Sequence, residues 1–138
     1  MTRALTLFVL LCTTTGHAGP GKECVRNQIA DSYDEGWQLR RAGEEAIAFG
    51  RTAPMRATLL KGRTYRILTC SSEDITELDV LIYDKQGTLI TRDEQDGNRP
   101  NVGYTPDRTG LHYVVFYVRD ATSREEPGSV GWAVLHGD

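Results

Sequence analysis

The sequence predicts an all-β protein: an antiparallel β-sandwich, jelly-roll-like, of about eight or nine short strands with a short N-terminal helix. Three observations predict it. From Trp37 onward apolar and polar residues alternate with a period of two. Turn residues (Lys61–Gly62, Gln86–Gly87, Pro106–Gly110) punctuate these runs at short intervals. Only one stretch carries helical spacing, so no alternation of strand and helix points to a parallel sheet.

The 138-residue chain begins with "MTRALTLFVLLCTTTGHA". Arg3 supplies a positive start, Ala4–Cys12 an apolar stretch too short to span a bilayer, and "GHA" a small-residue cleavage site. Residues 1–18 therefore read as a secretory signal peptide, leaving residues 19–138 as a single sandwich domain. No later apolar run is long enough to be a membrane span. Loss of Arg3 moves the net charge from −3 to −4. No basic patch is present, which argues against nucleic acid as a partner. The localisation implied is secreted or periplasmic. Of three cysteines, Cys12 leaves with the signal, and Cys24 and Cys70 remain. Two cysteines in an exported chain predict one disulfide, closing a long loop and worth about 3–4 kcal/mol. Two cysteines with the scattered His112 and His136 lack zinc-ligand spacing.

Each element follows from its local pattern. "KECVRNQIADSYDEG" predicts a helix over about residues 22–35, with Val25, Ile29 and Tyr33 forming one stripe and Gly36 the stop. Its acids Asp31, Asp34 and Glu35 crowd the end that the helix dipole disfavours, so the helix depends on docking. "WQLRR" and "EAIAF" predict two short strands. "PMRATLLKGRTYRILTC" predicts a hairpin around Lys61–Gly62, with Met55, Ala57 and Leu59 on one side and Tyr65, Ile67 and Thr69 on the other. "LDVLIYD" points Leu78, Val80 and Ile82 inward and Asp79, Leu81 and Tyr83 outward. Gly87 takes the positive-φ turn position before "TLITR". "NVGYT" is a further strand, and Pro106, Asp107 and Gly110 form a turn. "LHYVVFYV" is apolar on both faces and predicts a central strand covered on both sides. "VGWAVLH" closes the sheet.

Three of these runs resemble, in order and spacing, the bacterial pre-peptidase C-terminal (PPC) domain, a β-sandwich of secreted proteins. They are Leu59, Gly62 and Tyr65; then Leu78, Asp79, Val80, Leu81, Tyr83, Asp84 and Gly87; then Tyr104, Thr105, Pro106, Gly110, Tyr113 and Val115. The resemblance covers roughly residues 55–118. It implies a jelly-roll-like fold and an accessory, non-catalytic role, here in a stand-alone relative.

Catalytic signatures are absent from the sequence. There is no Gly-x-Ser-x-Gly elbow, no His-Glu-x-x-His and no phosphate loop. His112 is expected at a sheet surface or edge, and His136 lies at the chain end. Calcium is the sharper candidate, because it takes six to eight oxygen ligands from loops. "RDEQDGNRPN" offers Asp93, Glu94, Asp96, Asn98 and Asn101, and the hairpin brings Asp84 near. Asp84, Asp93 and Asp96 are the candidate ligands; some PPC domains bind calcium. The alternative is a solvated loop using Asp, Gly and Asn for turn geometry. Asp79, facing away from the core, is expected to pin the sheet through hydrogen bonds from backbone or tyrosine, and Gly87 and Gly110 are expected to shape turns. Exposed aromatics would mark a sugar- or peptide-binding face. Trp37, Trp132, Tyr83, Tyr104 and Tyr117 are available, with Trp37 and Trp132 expected in the core. The function expected is a secreted, non-enzymatic binding or accessory module whose partner is an unknown protein or carbohydrate. The alternatives are a small hydrolase using acidic-loop carboxylates and a structural subunit of a secreted assembly.

Overall fold

A computed structural model of the chain describes residues 19–137. The signal peptide read in residues 1–18 lies outside them. Helix α1 (Pro20–Asp34) leads into strands β1 (Gln38–Ile47), β2 (Thr52–Leu59), β3 (Thr64–Ser71), β4 (Ile75–Asp84), β5 (Leu89–Asp93), β6 (Asn101–Tyr104), β7 (Gly110–Ala121) and β8 (Gly128–Gly137). Every strand pairing is antiparallel. The sheets run β1-β8-β3-β6 and β2-β7-β4-β5. Successive strands mostly alternate between the two sheets, which is the arrangement of an eight-stranded jelly roll.

Period-two patterning builds the core between the sheets. One sheet contributes Ile47, Tyr65, Ile67, Val102, Val130, Trp132 and Val134; the other contributes Met55, Leu59, Leu78, Val80, Ile82, Val114, Phe116 and Val118. Each fully buried aliphatic side chain is worth about 1.5–3 kcal/mol of transfer free energy. Trp132 stacks on Phe116 across the gap, ring centroids 6.3 Å apart. Trp37 instead joins a second layer beneath the helix.

That layer explains why β3 and β8 are apolar on both faces. Leu68, Cys70, Ala133 and Leu135 point away from the sandwich and are covered by Val25 of α1. Cys24 and Cys70 are joined by a disulfide, with Cα atoms 5.7 Å apart. The first turn has no side-chain cap of its own. Its amides are satisfied from the sheet: Gly21 N donates to Ser129 Oγ at 2.9 Å and Lys22 N to Glu44 Oε2 at 2.7 Å. The carboxylate there also complements the positive end of the helix dipole. At this point backbone meets backbone, and a Cβ on Gly131 would land on the Gly21 carbonyl. Gly131→Ala is therefore expected to cost about 1–3 kcal/mol, because main chain cannot rotate aside as a side chain can. An unchanged urea midpoint for that variant would exclude backbone contact at this point.

Four expectations are corrected. The two strands read in "WQLRR" and "EAIAF" are one strand, β1, interrupted by a register shift between Leu39 and Arg41. A bulge of this kind adds one residue and re-aims its neighbours. Arg40 thereby reaches the Tyr65 hydroxyl (3.4 Å), while Arg41 lies over Trp132 (5.5 Å) and donates to Arg56 O at 2.8 Å, tying the edges of the two sheets. Tyr33 leaves the helical stripe and is 52% exposed; Ser32 takes the inward position. The outer face of β7 is not covered: its residues alternate between buried and half-buried. His112 is not at a sheet surface but points inward with Val114 and Phe116, 5% exposed.

Candidate functional site: an end cleft and a bare sheet face

Two loops frame one end of the sandwich. The β4–β5 turn is closed by Gly87 N to Asp84 O and Asp84 N to Thr88 O, both 3.0 Å. Gly87 has φ +82°, the left-handed region that glycine enters without strain. Asp84 Oδ1 accepts from Gln86 N and Thr88 N, each at 2.9 Å, so its carboxylate completes the turn. The β6–β7 loop is fixed by Gly62 N to Pro106 O (2.9 Å), Lys61 N to Thr109 Oγ1 (2.9 Å) and the Thr64–Thr105 hydroxyl pair (3.0 Å).

Between these loops lies a cleft of about 730 Å³, walled by Ile90, Tyr104, Leu111 and His112, with Asp84, Lys85, Asp107 and Arg108 around it. Its size suits a small ligand or a chain end. His112 Nδ1 lies 2.9 Å from Gly110 O. A carbonyl only accepts, so Nδ1 carries the hydrogen and a neutral ring keeps a lone pair at Nε2. The Tyr104 ring meets His112 edge-on at 5.5 Å. Burial pushes the Tyr104 hydroxyl above its ordinary pKa, and the negative charges of Asp107 and Asp84 push the same way. Gly110 has an ordinary backbone conformation with open space at its Cβ position; its contribution is the carbonyl that orients His112.

The second surface is the outer face of β2-β7-β4-β5. Registered rows cross it: Arg56–Tyr113–Tyr83–Leu89, Pro54–Val115–Leu81–Arg92 and Thr52–Tyr117–Asp79. Leu81, Tyr83, Tyr113, Val115 and Tyr117 are all half-buried, and Leu89 is exposed. Among the described residues α1 is the only helix, and it covers the other sheet. Leu111 shares the face of Tyr113 and also walls the cleft, so the two surfaces are continuous.

The three candidate calcium ligands do not meet. Asp84 belongs to the cleft. Asp93 accepts Gln95 N (3.0 Å) and Asn101 N (3.1 Å), closing the β5–β6 loop. Asp96 projects into solvent with its nearest cation, Arg119 Nη2, at 3.7 Å. Among the described residues no group of three or more His, Cys, Asp or Glu side chains is placed to hold a metal ion.

Asp79 pins the structure, and its partner is an arginine rather than backbone or tyrosine. Arg119 Nε donates to both its carboxylate oxygens at 3.2 and 3.1 Å. Arg119 Nη2 donates to Glu77 Oε2 at 3.1 Å and reaches Glu94 O at 3.4 Å. Glu77 Oε2 also accepts Gly97 N at 2.9 Å. One guanidinium thus fastens the acidic loop to β4. Burial raises the Asp79 carboxyl above its ordinary pKa, with Arg119 opposing, while the carboxylates hold Arg119 protonated beyond its already high value.

The sequence reading did not single out Arg119 or the outward-facing Tyr113 for these surfaces, and it set His112 at a sheet surface or edge. For His112 and Tyr113 the signal existed: the parity of Val114 and Phe116 puts His112 inside and Tyr113 outside. The chain matches no protein-family model and no curated protein.

Proposed function

We propose that this chain is an exported, non-enzymatic binding or accessory module of the bacterial envelope or exterior, which holds a protein or carbohydrate partner against the bare face of β2-β7-β4-β5. The observation that carries it is the contiguous, half-exposed set of Tyr83, Tyr113, Tyr117, Leu81 and Val115 on one sheet, while the other sheet's outer face lies under α1. Rigid amphipathic rings on a flat sheet give contact area at low entropic cost. Export is supported by the leader-like residues 1–18 and by a disulfide, a bond that persists in oxidising compartments. Similarity of residues 55–118 to the PPC pattern supports the accessory role. Among the described residues no helix is long and apolar enough to cross a membrane. Binding is favoured over hydrolysis because the sequence carries no acyl-transfer or metal-hydrolase motif, and Asp84, Asp93 and Asp96, the carboxylates a hydrolase would use, do not converge.

The test is fluorescence titration of the mature protein with panels of soluble glycans and extended peptides. A ligand that quenches emission, and whose affinity falls about tenfold in Tyr113→Ala, is the expected result for an aromatic anchor. Turnover of a panel member, lost on Asp107→Asn, would make the protein a hydrolase and overturn the proposal.

A further inference from the structure

We propose that the seam between the edge strands β1 and β2 binds a carboxylate of an extended acidic peptide. The site lies beside the bare sheet face and goes beyond the function assigned to that face. β1 and β2 each end their sheet, so each keeps one edge of backbone groups outside the ladders. Arg41 Nη1 crosses between them to Arg56 O at 2.8 Å. Two adjoining cavities of about 370 and about 280 Å³ open there, with Arg41 and Arg56 as shared walls. Arg40 also lines the second, over buried Ala57, Leu59 and Val134. None of the three arginines has an acidic partner among the described residues. One carboxylate, Glu45, lines the seam. The seam is therefore positive, on a chain whose net charge is −3. A second observation lies beneath it. Trp132 is 4% exposed and lines the first cavity, and its Nε1–H is a buried donor without an acceptor. Gly43 is its partner in the β1–β8 register, and a Cβ there would stand 3.1 Å from Nε1, so glycine lets the indole extend beneath the edge strand. The Arg41 guanidinium lies over the same indole at 5.5 Å. Arg41 is exposed, so its head can turn with an incoming group and open the indole edge. An unpartnered buried donor is costly. A carboxylate held by Arg41 and Arg56 supplies the missing acceptor, whereas a cation would meet mainly like charge. A peptide is the fitting carrier, because an extended chain can pair with the free edge of β1 while its alternate side chains reach the seam.

The mature protein is titrated calorimetrically with the acetylated and amidated peptide Val-Glu-Val-Glu-Val, whose acids share one face when it is extended. The matching glutamine and lysine peptides serve as neutral and cationic controls. The Trp132 indole N–H resonance is followed by NMR in parallel. Saturable binding of the glutamate peptide, at least about tenfold tighter than the glutamine peptide and weakened about tenfold by Arg56→Gln, is expected. It should carry the indole N–H resonance downfield as the donor gains its acceptor. Arg56 is exposed and meets Arg41 through its main-chain carbonyl, so that variant leaves both the core and the bridge between the sheets intact. Equal binding of the glutamate and glutamine peptides, an unmoved indole resonance, or an indifferent Arg56→Gln would overturn the proposal. Tighter binding of the lysine peptide would assign the seam to Glu45 and overturn it too. Tyr83→Ala separates this outcome from the fate of the sheet face, because β7 stands between β4 and β2. It should leave binding of the glutamate peptide unchanged while weakening the partner found by fluorescence, so either function can fail alone.

Discussion

Reducing the Cys24–Cys70 bond, or replacing both cysteines by alanine, is expected to lower the unfolding free energy by about 4 kcal/mol. The residues are 46 apart in sequence, and closing a loop of that length removes about this much chain entropy from the unfolded state. For a domain of this size each kcal/mol is worth about 4 °C, so the melting temperature should fall by roughly 15 °C. The native side of the cycle points the same way. Isolated helices of about this length are marginal in water. α1 has no side-chain N-cap and no basic residue in its last turn. It persists by docking Val25 and Ile29 onto Leu68, Ala133 and Leu135, with the disulfide between them. Loss of the bond should therefore loosen α1 first, seen as hydrogen exchange that rises in Cys24–Asp34 before it rises in β7. Intact mass should increase by two hydrogens on reduction. Two free thiols in the folded, untreated protein, or an unchanged melting temperature after reduction, would sink the expectation.

What the sequence disclosed follows the range of the forces involved. The alternation of Leu78, Val80 and Ile82 is a local pattern enforced by the pleat, and β4 has the predicted inward face. Turn glycine Gly87 was equally legible, because positive φ is a single-residue requirement. The disulfide followed from counting cysteines. The bareness of the β7 outer face did not follow. Leu111, Tyr113, Val115 and Tyr117 are apolar enough for either a covered layer or an exposed recognition face, and only the position of α1 on the opposite sheet decides between them. Density of carboxylates is likewise not geometry. The acidic loop has as many as a cation site requires, while Asp84 of the β4–β5 turn and Asp93 accept backbone amides of their own turns. The organising cation, Arg119, lies 40 residues from Asp79 in sequence, and no local spacing announces that pairing.

Arg119→Met is expected to be strongly destabilising, and far less so when Asp79 is already Asn. Asp79 is only 3% exposed, and a carboxylate that loses its guanidinium there keeps its burial cost without compensation. Glu77 loses its ion pair, and the loop loses the contact from Arg119 to Glu94 O. With Asn at position 79 no buried charge remains to be stranded, so urea midpoints for the single and double variants should show strong positive coupling. The pH dependence carries a second signature. Burial raises the folded-state pKa of Asp79 above the ordinary value of 3.8, so the folded protein holds this proton more tightly than the unfolded chain does. The stability it contributes is therefore complete below about pH 3.8 and is lost as pH rises through the folded pKa. The melting temperature of the native protein minus that of Asp79→Asn should accordingly fall as pH rises from about 3.8 and then level off. In Arg119→Met the opposing attraction is gone, the folded pKa climbs further, and the same decline should extend to higher pH. A difference that grows with pH instead would mean that pairing with Arg119 outweighs burial at this carboxylate, and would reverse the sign assigned to Asp79.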